Sequence, residues 1–215
     1  MTRSKPGLAP ETTEKVEYAL LTYAYKQLYS SLIAAFSGAT VTVIVLYYHG
    51  YKAGLFPWYG LFLTVALIRA TMIKMYFHQK NREEHMNLWR NLYIFGAALG
   101  GLCWGLASLF FYSVSEVEQI FIILALVTAT AWSLTTLSAI LEAAIIFILT
   151  ALLPFVARMI SFDQTDYLLL TLIFSIFILF LLVHSVKTHL LIKKTMMLQF
   201  KKDFLLGDVT TSKRE

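Results

Sequence analysis

The chain has 215 residues, of which 58% are hydrophobic and 14% charged, with a net charge of +5. Soluble domains run nearer ~25% charged and ~45–50% apolar, so a soluble fold of this length could not hide its apolar surface, whereas a lipid-solvated helical bundle can leave it exposed. One cysteine, Cys103, excludes an intramolecular disulfide framework.

Residues 1–10 are polar and read as disordered. No apolar core of ~7–15 residues follows the early basic ones, so no signal peptide is expected. Pro10 suits a helix start, with Glu11 and Glu14 complementing the dipole of the first turn. Residues 11–27 read as an amphipathic helix on the membrane surface, with Val16, Leu20, Tyr23 and Gln27 along one side. Spans of ~20 apolar residues are then expected at Leu28–Tyr48, Pro57–Tyr76, Leu92–Tyr112, Glu118–Ser138, Ala139–Ile160 and Tyr167–Val186. The fourth and fifth form one apolar run, broken near Ser138–Glu142, its only weakly polar point. The chain thus divides into an N-terminal tail with its amphipathic helix (1–27), a six-helix bundle (28–186) and a basic helical tail (187–215).

Loops rich in Lys and Arg stay in the cytoplasm. Of the 18 such residues, all but Lys52, Arg69 and Arg158 fall before the first span, around the loop after the second, or after the sixth. The expected fold is therefore all-α: a polytopic membrane protein with six transmembrane helices, N-in/C-in, ending in a cytoplasmic C-terminal helix.

Arg69 stands inside the second span, where a charge costs at least ~2.5–3.5 kcal/mol and usually meets a partner or a wet cavity. Glu142 is the one carboxylate deep in apolar sequence on the same inner half, so an Arg69–Glu142 pair is one expectation. The other is that Arg69 snorkels to the headgroups and Glu142 sits in a loop. Trp104 and Trp132 lie deep in the third and fourth spans, and with Tyr93 and Glu142 could line a pocket, with plain packing as the default. His184 ends the sixth span and would titrate in a signalling range, or is an ordinary interfacial histidine. Gly96, Gly100, Gly101 and Gly105 give two overlapping small-xxx-small patterns, for packing within the bundle or for a dimer seam. Pro154 removes a backbone bond from the fifth span.

His78 and His85 would stand ~10 Å apart on one helix, too far to share a metal. No His-Glu-x-x-His, Gly-x-Ser-x-Gly or phosphate loop occurs. No enzyme activity, metal or cofactor is expected from these residues. The basic tail reads as a topology signal, with no nucleic acid as partner. In that tail Val183, Val186, Leu190, Lys193, Met197, Phe200 and Phe204 follow 3–4 spacing. The seam would pair two copies as a homodimer, or rest as a basic amphipathic face on anionic lipid, with Gly207 as its stop.

The run from Trp89-Arg90 through LYIFGAALGGLCWGLASLFF (Leu92 to Phe111) centres on Gly101, Trp104 and Gly105. With Leu153-Pro154 and the early ALLTYAYKQLYSS, it resembles the multi-helix membrane sensory region of bacterial signalling proteins. That region precedes diguanylate cyclase (GGDEF) or histidine kinase domains, and its pattern is a Trp followed by a small-residue helix with Gly-x-x-Trp-Gly. The likeness covers roughly residues 17–195. It implies membrane sensing in the bacterial inner membrane, with c-di-GMP or two-component signalling as output. Residues 1–215 hold no GGDEF, EAL or phospho-acceptor motif, so a cytoplasmic signalling domain or partner would supply that output. The expected function is a sensory module relaying a small-ligand or membrane signal through the sixth helix. A scaffold subunit of a membrane complex and a small transporter are the alternatives.

Overall fold

The computed structural model describes residues 10–50, 54–112, 116–162 and 164–212, with side chains over 14–50, 54–112, 117–162 and 164–202. These residues form six helices and no strand: α1 (Pro10–Tyr48), α2 (Leu55–His78), α3 (Met86–Phe111), α4 (Glu116–Leu137), α5 (Leu141–Ile160) and α6 (Thr165–Ser212). Each contains a stretch long and apolar enough to cross a bilayer. The protein is a multi-pass helical membrane protein. The long apolar run breaks where its weak polarity suggests, at the buried turn Ser138–Ile140.

Two helices exceed their expected spans. α1 has 39 residues and α6 has 48, roughly 58 and 72 Å at the ~1.5 Å helical rise, against ~30 Å of hydrocarbon. The segment expected to lie on the membrane surface is therefore the first half of α1, continuous with the first span. It stays upright because its apolar side is buried against the bundle: Val16, Leu20, Leu21, Ala24 and Tyr25 are all under 5% exposed. Tyr23 and Gln27 are instead only partly buried and bond to each other, Gln27 Nε2 donating to Tyr23 Oη at 2.9 Å. α6 likewise runs unbroken from span to tail and does not stop at Gly207. The expected disorder of residues 1–9 and the side chain of Phe204 lie outside the described residues.

The helices alternate in direction, and contacts at each end show it. At the end holding the start of α1 and the tail of α6, Tyr25 stacks on Tyr76 at 4.0 Å and donates to Trp89 O at 2.9 Å. At the opposite end Trp58 meets Phe111 edge-on, and Gln119 Nε2 donates to Tyr167 Oη at 3.2 Å. The first is called the basic end, for its Lys and Arg.

The centre is α3 against α5, the most extensive helix pair. Its closeness has a local cause. Pro154 has no N–H, so the carbonyl of Thr150, four residues earlier, loses its helical donor. That carbonyl points at Gly105, and a Cβ there would also meet Pro154 Cγ at 2.8 Å. With no side chain at Gly105, its Cα can lie against the freed oxygen, a weak but recurring contact between packed helices. Pro154 is thus a packed position, held against α3.

Candidate functional site

Among the described residues α2 touches α1 and α3 but not α4, while α1 packs on both α2 and α4. In the angle between these three helices lies a cavity of about 420 Å³, closed from behind by Gly100 and Trp104 of α3 and Phe147 of α5. This volume is within the ~300–1,000 Å³ usual for small-molecule sites. Its exposed lining residues are Ser37 and Val41 on α1, and Leu124, Thr128 and Trp132 on α4. The mouth therefore opens sideways between α1 and α4, where Ile33, Ile44 and Ile120 also face outward. In a bilayer that surface meets lipid.

Arg69 is the one charged residue on the cavity wall. Only 5% of its surface is exposed, so it does not snorkel to the helix end. No hydrogen bond or ion pair reaches its guanidinium among the described residues, and Nε is buried without a partner. What makes room for it is the α3 surface. A Cβ on Gly96 would lie 3.4 Å from Arg69 Cγ, and one on Gly100 would lie 3.1 Å from Arg69 Nη1 and 3.6 Å from Phe147 Cε2. The four α3 glycines thus have two jobs. Gly96 and Gly100 pass the arginine, and Gly101 and Gly105 admit α5.

Apart from the indoles of Trp104 and Trp132, the other polar side chains on the wall are hydroxyls. Thr42 donates to Gly38 O and Ser133 to Thr130 O, each within its own helix. Ser31, 8% exposed, shares the α1 wall. Trp104 is buried, packing edge-on to Trp58 and Phe62 at 6.1 and 5.8 Å. Trp132 is 48% exposed at the rim.

Arg69, Gly100, Trp104 and Trp132 therefore share one site; Tyr93 lies close to Arg69 without lining the cavity, and two other candidates stand apart. Tyr93 is buried nearer the basic end, donating to Thr136 O at 3.2 Å and meeting Tyr25 edge-on. Glu142 pairs with Arg90, Nη2 to Oε1 at 2.6 Å, and not with Arg69. The two glutamate-to-arginine choices differ by depth. Glu142 is in the first turn of α5 and Arg90 near the start of α3, both at the basic end, whereas Arg69 is roughly 13 Å from the end of α2 by the ~1.5 Å rise. Since both paired side chains are substantially exposed, the pair is worth at most ~1 kcal/mol. Glu142→Gln should leave the melting temperature of the purified protein within a few degrees of wild type. A large drop would show that Glu142 has a buried role.

His184 is exposed and stacks on Phe180 at 5.9 Å. The histidine held by the fold is His189, whose Nδ1 lies 3.1 Å from Ser138 O in the α4–α5 turn. Its role does not show in the sequence, where it is one of five histidines. The one hint there is a second polar residue, Ser185, one helical turn earlier on the same face of α6, and the fold buries it fully. The His189 contact fastens α6 to the turn that ends α4, one of the helices lining the cavity, while the buried Ser185 hydroxyl has no partner among the described residues.

No group of metal-binding side chains occurs among the described residues. The fold and site define a multi-pass membrane protein with a lipid-facing cavity and a buried cation on its wall. No protein-family model, curated protein or solved structure matches the chain.

Proposed function

We propose that this chain is a membrane-embedded sensory module of the bacterial inner membrane, N-in and C-in. In this reading occupancy of the cavity is relayed to the cytoplasm through α6. One observation carries it: the wall helix α4 ends in the turn that His189 grips, and α6 continues from that grip as an unbroken helix to Ser212. A ligand or bilayer change that favours one position of α4 would then bias α6, which is a two-state mechanism driven by differential affinity. The resemblance to sensory regions ahead of diguanylate cyclase or histidine kinase domains points the same way, with the output in a further domain or partner. Val183, Val186 and Leu190 are exposed along α6, which supports pairing of two copies there. A transporter would need a polar path between the two ends, and the site instead opens sideways.

A bulky residue can stand in for the ligand. Spin labels at Asn81 and Gln199, with Cys103 replaced by serine, report the tail against the α2–α3 loop. Ala129→Phe on the α4 wall should shift their distance distribution, and His189→Ala should abolish the shift. An unchanged distribution in Ala129→Phe overturns the relay. A label at Gln199 alone reads the distance between paired copies.

A further inference from the structure

We infer that the cavity receives a single-chain monoanionic amphiphile, a long-chain carboxylic acid, with its carboxylate on Arg69 and its chain along the α1–α4 mouth. This rests on the sensory reading in taking the cavity as the receptor site, and its chemistry follows from the wall itself.

Two independent observations meet there. The first is the space, a cavity lined mainly by apolar groups that opens toward lipid. A water-soluble ligand would have no reason to enter from that side, whereas a molecule already dissolved in the bilayer would. The second is the charge. Arg69 is buried, aimed along the wall, and unpartnered among the described residues. No carboxylate lines the cavity with it, so its positive charge is free to be neutralised by a guest. A cation buried without a counter-charge is costly, and a ligand carrying one negative charge removes that cost.

The count of charges selects the class. One guanidinium balances one negative charge, and a phosphate dianion would leave a second charge buried and unmatched. The planar fork of arginine suits a carboxylate, which can accept two parallel N–H bonds. Size argues against the phosphodiester of an ordinary phospholipid, whose headgroup would have to share a cavity of about 420 Å³ with its chains. A single-chain acid brings no such headgroup. Gly96 and Gly100 keep the guanidinium against α3, which presents its donors toward the cavity.

The tryptophans on the wall supply the measurement. The full chain is placed in phosphatidylcholine nanodiscs and titrated with a brominated long-chain fatty acid, and separately with its methyl ester. Both partition into the bilayer, and only the acid carries a charge. The acid should quench tryptophan emission with a saturable component that the ester lacks. Arg69→Gln should weaken that component roughly ten- to a hundredfold, with Arg69→Lys between. Ala129→Phe fills the cavity, leaves Arg69 in place, and should remove it.

Equal quenching by acid and ester overturns the proposal, and this comparison needs no variant. So does unchanged affinity in folded Arg69→Gln. Displacement of the acid by phosphatidylglycerol as readily as by unbrominated fatty acid would assign the site to a phospholipid headgroup instead. Acid-specific quenching with a motionless α6 leaves the site standing and sinks the relay. A shift of α6 in Ala129→Phe without acid-specific quenching does the reverse.

Discussion

Alanine at Gly101 or Gly105 should cost the bundle about 3 kcal/mol each, the upper part of the range for overpacked cores. At Gly101 the new Cβ would lie 2.6 Å from Phe147 O and 3.1 Å from Phe147 Cα, and it would strike Thr150 Oγ1 as well. The threonine side chain could rotate, but the Phe147 backbone could not. At Gly105 the obstacles are Thr150 O and the Pro154 ring, both fixed by α5. The helices would have to part along their most extensive contact, losing dispersion over the whole seam. Gly60 supplies the control, since a Cβ there meets nothing within 4 Å. Alanine at that exposed helical position should gain about 0.5–1 kcal/mol through helix propensity. The lone thiol makes the readout simple. Cys103 is 2% exposed on α3, so a thiol-reactive dye reports unfolding in detergent during a thermal ramp. Equal midpoints for Gly60→Ala, Gly101→Ala and Gly105→Ala would show that α3 and α5 are not in close contact.

Tyr25→Ala is the second large effect, expected at about 3–4 kcal/mol as for other buried aromatics truncated to alanine. Its ring is fully buried between α2 and α3, parallel to Tyr76 and edge-on to Trp89 and Tyr93. Such ring pairs add to simple burial. Tyr25→Phe keeps the ring and loses only the bond to Trp89 O, which should cost about 1 kcal/mol. The consequence is local as well as global. Tyr25 ties the first half of α1 to the bundle, so residues 14–27 of Tyr25→Ala should exchange amide hydrogens faster than in wild type. If those amides already exchange freely in wild type, the segment is not held against the bundle through Tyr25.

That segment also shows where the sequence was legible. Six apolar stretches could be counted because a bilayer demands a fixed length of apolar helix, and each corresponds to a helix. The turn at Ser138–Ile140 was visible because one apolar run was too long for one span. The continuity of α1 was not, because Val16 and Leu20 give the same periodicity whether they face lipid headgroups or Tyr76. Periodicity identifies a face and leaves its partner unnamed. The same limit explains Glu142. Its charge called for an arginine, and hydropathy could not say that Arg90 shares its level while Arg69 lies deeper. The glycines of α3 announced close approach, but which pair admits a helix and which admits a guanidinium depends on rotation about the helix axis. Trp104 and Trp132 could be named as pocket candidates from their depth, but the tertiary fold gives them Arg69 as their companion on the wall, where the sequence offered Tyr93 and Glu142.

The seam between α3 and α5 bears on biogenesis. The two partners are not consecutive, and α4 separates them in the order of synthesis. When α3 enters the membrane, the backbone bared at Gly101 and Gly105 has only lipid beside it. Its fitting surface, Thr150 and Pro154, is translated about 50 residues later, at several residues per second. The short turn Ser138–Ile140 then delivers α5 as the second arm of a hairpin whose first arm is already inserted. The core of this protein is thus completed only when the fifth of its six helices arrives, so the groove on α3 stays unfilled while α4 is made and inserted.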